Sequence, residues 1–120
     1  MELLVKILIS VVAVLHFGFL VLEMFLWTKP VGLKIFRQKP EVAESSRVLA
    51  ANQGLYNGFL AAGLVWGLLH PVLEAGVQIQ LFFLGCVGIA GIYGAATVNK
   101  RIFFVQALPA LIALVLLTLQ

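Results

Sequence analysis

The stretch VLAANQGLYNGFLAAGLVWGLL, residues 48–69, decides the fold because it joins the length of a membrane span to an unusual polar insert. A bilayer core of roughly 30 Å is crossed by about 20 mostly apolar helical residues. Within this stretch, NQGLYNG places three carboxamides and a phenol where hydrocarbon would surround the chain. Polar side chains inside membrane helices are costly and usually face the bundle interior, so the insert is a candidate functional site.

Three further apolar runs have a similar length. Hydrophobic residues make up 62% of the 120 residues and charged residues only 11%, outside the usual range for soluble globular domains. The predicted spans are residues 3–27, 48–69, 77–98 and 102–119. The sequence therefore predicts an all-α, integral membrane four-helix bundle that forms a single domain, residues 1–120, with the lipid bilayer as its main partner.

The basic residues predict the orientation of these spans. Of eight Lys and Arg residues, five lie between the first and second spans and two between the third and fourth, whereas only Lys6 lies on the other side. Cytoplasmic connections are enriched in Lys and Arg. We therefore expect a multi-pass protein of the plasma (inner) membrane with both termini extracytoplasmic, and we assign the net charge of +3 to topology and not to a nucleic-acid partner.

The first connection, TKPVGLKIFRQKPEVAESS, is long enough to hold local structure. Pro30 and Pro40 each suit the first position of a helix, and the second span is expected to extend back toward Pro40. A short amphipathic segment is expected to rest on the lipid headgroups, with basic residues around three apolar ones: Leu33, Ile35 and Phe36. A plain solvated loop and specific lipid recognition both remain open.

Small residues predict how the spans pack. The second span has GxxxG pairs at Gly54 and Gly58 and at Gly63 and Gly67, and the third span is also rich in glycine. In lipid, small residues allow the close backbone approach that drives helix association. Spans two and three are expected to pack tightly, either within one chain or through their glycine faces in a homodimer.

Polar side chains from all four spans are predicted to converge in the cytoplasmic half of the membrane. His16 and Glu23 are seven residues apart, and Gln53 and Asn57 are four apart, so each pair lies on one helical face. We expect these groups to line a polar pocket. The predicted ligand-binding residues are His16, Glu23, Asn52, Gln53, Tyr56, Asn57, Tyr93, Thr97 and Gln106.

Glu23 carries the chemistry of this predicted site. It would serve as a proton carrier or as the counter-ion of a cationic ligand, or else it would hydrogen-bond to Asn and Gln side chains and lock the bundle. His16 can exchange protons near neutral pH. Two helical turns separate these residues, which is too far for a shared metal ion. No metal site, cofactor or catalytic residue is predicted.

Three segments carry a resemblance to a known family: HFGFLVLEMFLWTKPVGLKIF, VLAANQGLYNGFLAAGLVWG and GIYGAATVNKRIFFVQALPA. The chain resembles the small bacterial membrane proteins of the domain-of-unknown-function 1304 family. The likeness extends over all four predicted spans and is most specific in NQGLYNG. It implies a short integral membrane protein, and it implies no activity or ligand.

Three functions remain as expectations. The first is binding or transport of a small amphiphilic ligand, such as a quinone, lipid or organic cation, in the polar pocket. The second is a structural or accessory membrane subunit whose polar core stabilises the bundle. The third is a membrane enzyme that modifies a lipid or isoprenoid, which would need a bound substrate to bridge His16 and Glu23.

Overall fold

A computed structural model describes all 120 residues, and the fold is all α-helical, as predicted. Six α-helices and one π-helical turn follow one another without any strand. Their bounds are α1 (Glu2–Phe25), α2 (Pro30–Phe36), α3 (Pro40–Ser45), α4 (Arg47–Leu69), α5 (Leu73–Thr97), the π turn (Phe103–Ala107) and α6 (Leu108–Thr118).

Two helices, α1 and α5, are long and apolar enough to cross a membrane, judged by length and composition alone. Helix α4 has 23 residues, but the carboxamides of NQGLYNG lower its hydropathy. The π turn and α6 together form a shorter apolar stretch, Phe103–Thr118. Two of the four predicted spans therefore have the character of membrane helices, and the four-span bundle stays a prediction.

The chain divides into two compact units. One boundary between them falls inside α1, and the other falls inside α4. The first unit comprises Met1–Leu15 and Leu60–Gln120, and the second comprises His16–Phe59. The predicted single domain, residues 1–120, stays a prediction.

The core of the first unit is built from regularly spaced apolar residues of α1, α4, α5 and α6. Val5, Ile9 and Val12 follow the i, i+4, i+7 spacing that places side chains on one helical face. The buried members of this core are Val5, Ile9, Val12, Ala13, Leu64, Leu84, Val87, Ala110, Ala113 and Leu117. Three of them are alanine, and two of these lie in α6, where the short side chains let the helix backbones come close together.

Glycines mark the closest helix contacts in this unit. A Cβ atom on Gly91 would lie 2.6 Å from the backbone nitrogen of Ala107, so α5 meets the π turn through two small residues. A Cβ atom on Gly67 would lie 2.8 Å from Cγ of Gln80, and Gly63 lies against the ring of Phe83. Close packing between α4 and α5, the predicted second and third spans, thus depends on Gly63 and Gly67.

The π turn ends at Ala107, two residues before Pro109. Proline lacks a backbone N–H, and its ring clashes with the carbonyl group four residues earlier. A π turn accommodates such a clash because it inserts an extra residue into one helical turn. The fourth apolar segment is therefore divided at Ala107 into the π turn and α6.

In the second unit, α2 and α3 begin at Pro30 and Pro40, as predicted. The expectation that the second span runs back toward Pro40 needs a correction, because the helix is interrupted at Ser46 between α3 and α4. The Ser46 hydroxyl lies 2.7 Å from the carbonyl oxygen of Val42 and accepts a hydrogen bond from the indole of Trp27 at 3.1 Å. Serine side chains that bond back to the backbone often bend helices.

The first GxxxG pair of α4 also differs from expectation. Gly54 and Gly58 lie against α1. A Cβ atom on Gly54 would lie 2.9 Å from Cγ of Met24, and one on Gly58 would collide with the side chain of Leu20. The NQGLYNG insert therefore faces the C-terminal half of α1.

Candidate functional site

Glu23 is the centre of the candidate site. Its side chain lies near the end of α1, and the residue is only 3% exposed. The Asn57 amide donates a hydrogen bond to Oε1 at 2.5 Å, and the Gln53 amide donates one to Oε2 at 2.6 Å. Both carboxyl oxygens of Glu23 thus accept a hydrogen bond from α4.

The local sequence explains this arrangement. Gln53 and Asn57 are four residues apart, so their side chains are stacked on one face of α4 about one turn from each other. Gly54 lies between them, and a Cβ atom there would lie 3.0 Å from Cβ of Glu23. The glycine therefore lets the two backbones approach closely enough for short amide side chains to reach the carboxylate.

His16 belongs to the same unit and to the same helix as Glu23. It is fully buried, and its ring meets the ring of Phe19 edge-on, with centroids 5.3 Å apart. Seven residues of helix place it about 10 Å along α1 from Glu23. His16 and Glu23 are accordingly separate buried polar groups on one helix, with no direct contact implied by their spacing.

Two residues of NQGLYNG do not point inward as expected. Asn52 is exposed, and its amide donates to the carbonyl oxygen of Val48 in its own helix at 2.9 Å. Tyr56 is 62% exposed, and its ring centroid lies 6.1 Å from that of Phe59. Asn52 and Tyr56 precede Gln53 and Asn57 by one residue each, so they lie about 100° around the helix.

Three predicted residues belong to the other unit. Tyr93 is 70% exposed, and the exposed Thr97 donates from its hydroxyl to the carbonyl oxygen of Tyr93 at 2.7 Å. Gln106 is half-buried in the π turn. Of the nine predicted residues, the structure brings together Glu23, Gln53 and Asn57. Binding of a ligand by any of the nine stays a prediction.

Two polar contacts in the structure were not predicted from the sequence. Gln80 is buried in α5, and its amide donates to the carbonyl oxygen of Gly67 at 3.0 Å. Its position on the small-residue face of α5, four residues after Gly76, was the available signal. The second contact joins Trp27 and Ser46, 19 residues apart, and no local pattern indicates it.

Other potential binding features lie elsewhere. A groove of about 510 Å³ runs along the N-terminal half of α1. It is open and mainly apolar, and its lining residues are Leu3, Lys6, Ile7, Ser10, Val11, Val14 and Leu15. No group of three or more His, Cys, Asp or Glu side chains is placed to hold a metal ion. None of the predicted site residues lines the groove.

Comparison with known proteins places the chain in a family. The sequence profile described as "Protein of unknown function (DUF1304)" matches residues 10–118. The chain belongs to the domain-of-unknown-function 1304 family. The profile of this family spans the second unit and most of the first. The resemblance seen in the sequence is thereby confirmed, and the family description assigns no activity.

One relative of this DUF1304 chain can be aligned with it over nearly the whole length of both proteins. "Uncharacterized protein YpaA" of Lactococcus lactis subsp. lactis (strain IL1403) is 32% identical over 117 residues, which cover 96% of this chain and 97% of the relative. No solved structure matches the chain.

The hydrogen bond to Asn57 yields a stability prediction. Asn57→Ala removes the donor to a buried Glu23 oxygen, and an unsatisfied buried acceptor costs about 1–3 kcal/mol, more when it is charged. The matched control is Asn52→Ala, which we expect to change the free energy of unfolding by less than about 0.5 kcal/mol because Asn52 is exposed. Unfolding in mixed micelles measures both. Equal losses in the two variants would contradict the site geometry.

Proposed function

We propose that this DUF1304 protein is a multi-pass protein of the plasma membrane. Two helices with the length and composition of membrane spans support the proposal, together with a third helix, α4, of 23 residues. Seven of eight basic residues fall in two connections between apolar segments, which favours a cytoplasmic location for both connections. Both termini would then be extracytoplasmic.

This orientation predicts the behaviour of reporters at the C-terminus. Alkaline phosphatase fused after Gln120 should be active, because it folds only outside the cytoplasm, and green fluorescent protein at the same position should be dark. Fluorescence with inactive phosphatase would contradict the proposed orientation. Activity of both reporters would indicate insertion in two orientations, which the strong charge bias disfavours.

For the site, we propose binding of a small amphiphilic ligand whose headgroup is a cation or a hydrogen-bond donor. The observation that carries this proposal is the Glu23 carboxylate, whose two oxygens both act as acceptors. An incoming group must therefore donate a hydrogen bond or carry positive charge. This chemistry favours an organic ammonium over a quinone, whose carbonyl oxygens can only accept.

Gln53 supplies a route to this carboxylate. Glu23 and Asn57 are buried, whereas Gln53 is exposed while its amide donates to Oε2 of Glu23. A ligand headgroup that arrives from this side can replace the Gln53 amide at Oε2 and leave the Asn57 hydrogen bond in place. Gln53 would then act as an exchangeable cover for the carboxylate.

A second candidate function is favoured by the same two hydrogen bonds. Because both Glu23 oxygens already have donors, the cluster is satisfied without any ligand, and it would serve as a polar lock between α1 and α4 in a structural or accessory subunit. The two candidates differ in how the protein responds to an added cation.

Octylammonium chloride, added to the purified chain in a non-ionic detergent, separates these candidates. We expect it to raise the melting temperature more than an uncharged octyl amphiphile does, since a ligand at 100 times its Kd stabilises by about 2.7 kcal/mol. Glu23→Gln should abolish the difference. Glu74→Gln is the matched control, because it removes the same charge from an exposed residue, and it should keep the response.

A further variant tests the cover. Gln53→Ala should lower the stability of the unliganded chain and strengthen the response to octylammonium, because the competing amide is gone. Lowered stability without any cation response, in this variant and in the parent chain alike, would overturn ligand binding and leave the polar lock. An equal response in the parent chain and in Glu23→Gln would place the cation elsewhere.

A further inference from the structure

The segment between α1 and α4 is folded against itself, and we name residues 26–47 the basic connector. The indole of Trp27 donates to the Ser46 hydroxyl at 3.1 Å, and its ring packs against Phe36 with centroids 4.8 Å apart. Gly32 lies so close to Leu26 that an added Cβ would collide with the Leu26 carbonyl oxygen. These contacts fix the connector as a shaped surface and not as an extended loop.

The net positive charge of the chain resides in this connector. It contains five basic and two acidic residues, a net charge of +3, while the rest of the chain has three of each sign and balances to zero. All five basic residues are exposed: Lys29, Lys34, Arg37, Lys39 and Arg47. Arg47 pairs with Glu44 at 3.4 Å. The other four basic side chains have no acidic partner within ion-pair distance and are available to an external anion.

Apolar side chains are exposed among these cations. Val31 and Ile35, one helical turn apart on α2, are 45% and 43% exposed. Gly32 and Phe36 lie about 100° around α2 from this pair and contact the turn after α1. An exposed aliphatic pair beside Lys34 suits an interface between water and lipid, where apolar groups enter the acyl boundary and cations meet anionic headgroups.

Arg37 occupies a backbone conformation that usually belongs to glycine. Its φ of 52° lies in the left-handed region, and it ends α2 in a Schellman arrangement in which the Gln38 N–H donates to the carbonyl oxygen of Leu33 at 3.0 Å. Glycine would avoid the steric cost of a side chain there. A strained non-glycine residue motivates a functional hypothesis, and here the side chain contributes an exposed guanidinium group.

We propose that the basic connector binds anionic phospholipid headgroups at the membrane surface. Val31 and Ile35 enter the headgroup region, and the four unpaired cations contact lipid phosphates. This proposal rests on the membrane location proposed above and does not depend on a ligand at Glu23. The chemistry is that of a lipid surface, because a site for a free anion would not require exposed aliphatic side chains.

The test titrates the purified full-length chain in a non-ionic detergent with dioctanoyl phosphatidylglycerol or dioctanoyl phosphatidylcholine, and native mass spectrometry counts the bound lipid. Tighter binding of phosphatidylglycerol is expected, with a loss of about fivefold for each cation removed. Lys34→Gln with Lys39→Gln should weaken it, whereas Lys100→Gln with Arg101→Gln is the matched control for an equal charge change at another exposed position.

Arg37→Gly separates a lipid contact from a structural role. It removes both the backbone strain and the charge, so we expect unchanged or higher thermal stability together with about fivefold weaker binding of phosphatidylglycerol. A purely structural residue would show no loss of lipid binding. Glu23→Gln should bind phosphatidylglycerol as the parent chain does, so that a failed ligand site at Glu23 is distinguished from a failed lipid surface.

Three results would overturn the proposal. Equal binding of the two phospholipids would show that headgroup charge does not matter. Equal losses in the connector and control pairs would show that the location of the cations does not matter. Displacement of phosphatidylglycerol by millimolar inorganic phosphate, at constant ionic strength, would indicate a site for a soluble anion.

Discussion

The second unit is organised by one electrostatic constraint, the burial of the Glu23 carboxylate. A buried carboxyl group is tolerated only when its oxygens are hydrogen-bonded, and leaving them without donors costs more than a normal hydrogen bond contributes. Gln53 and Asn57 meet this requirement from one face of α4, and Gly54 removes the side chain that would keep the helices apart. The polar insert of α4 is thus explained by its partner on α1.

Helix geometry explains which part of this site could be predicted from the sequence. Spacing correctly paired Gln53 with Asn57, but the same reasoning paired Asn52 with Tyr56, and sequence alone does not decide which of two stripes about 100° apart faces a neighbour. Only the position of α1 makes that choice. Tyr93 was predicted to line the same pocket, yet its side chain is exposed.

Features that depend on neighbouring residues were predicted more reliably than contacts between residues far apart in the sequence. The starts of α2 and α3 were predicted because proline at the first helical position is a property of the residue itself. The break at Ser46 was not predicted, because it accompanies a hydrogen bond to Trp27, 19 residues away. Likewise, the glycines of α4 indicated close helix contacts, but the choice between α1 and α5 as partner required the coordinates.

The second unit combines two features: a buried carboxyl group on α1 and a basic, partly apolar surface on the connector. The two features require different surroundings. The carboxyl group of Glu23 needs donors from another helix, because its neighbours in α1 are apolar. The cations of the connector need water or anionic groups around them. Both demands are met when the connector lies at a membrane surface and Glu23 lies beneath it.

A measurement of the contact between Glu23 and Asn57 tests the role of the buried carboxyl group most directly. Solid-state NMR of the chain in lipid bilayers, with ¹³C-labelled glutamate and ¹⁵N-labelled asparagine, measures dipolar transfer from an asparagine side-chain nitrogen to a glutamate carboxyl carbon. We expect one strong transfer that disappears in Asn57→Ala and persists in Asn52→Ala. The absence of this transfer in the parent chain, or its loss in Asn52→Ala alone, would contradict the central role of the buried carboxylate.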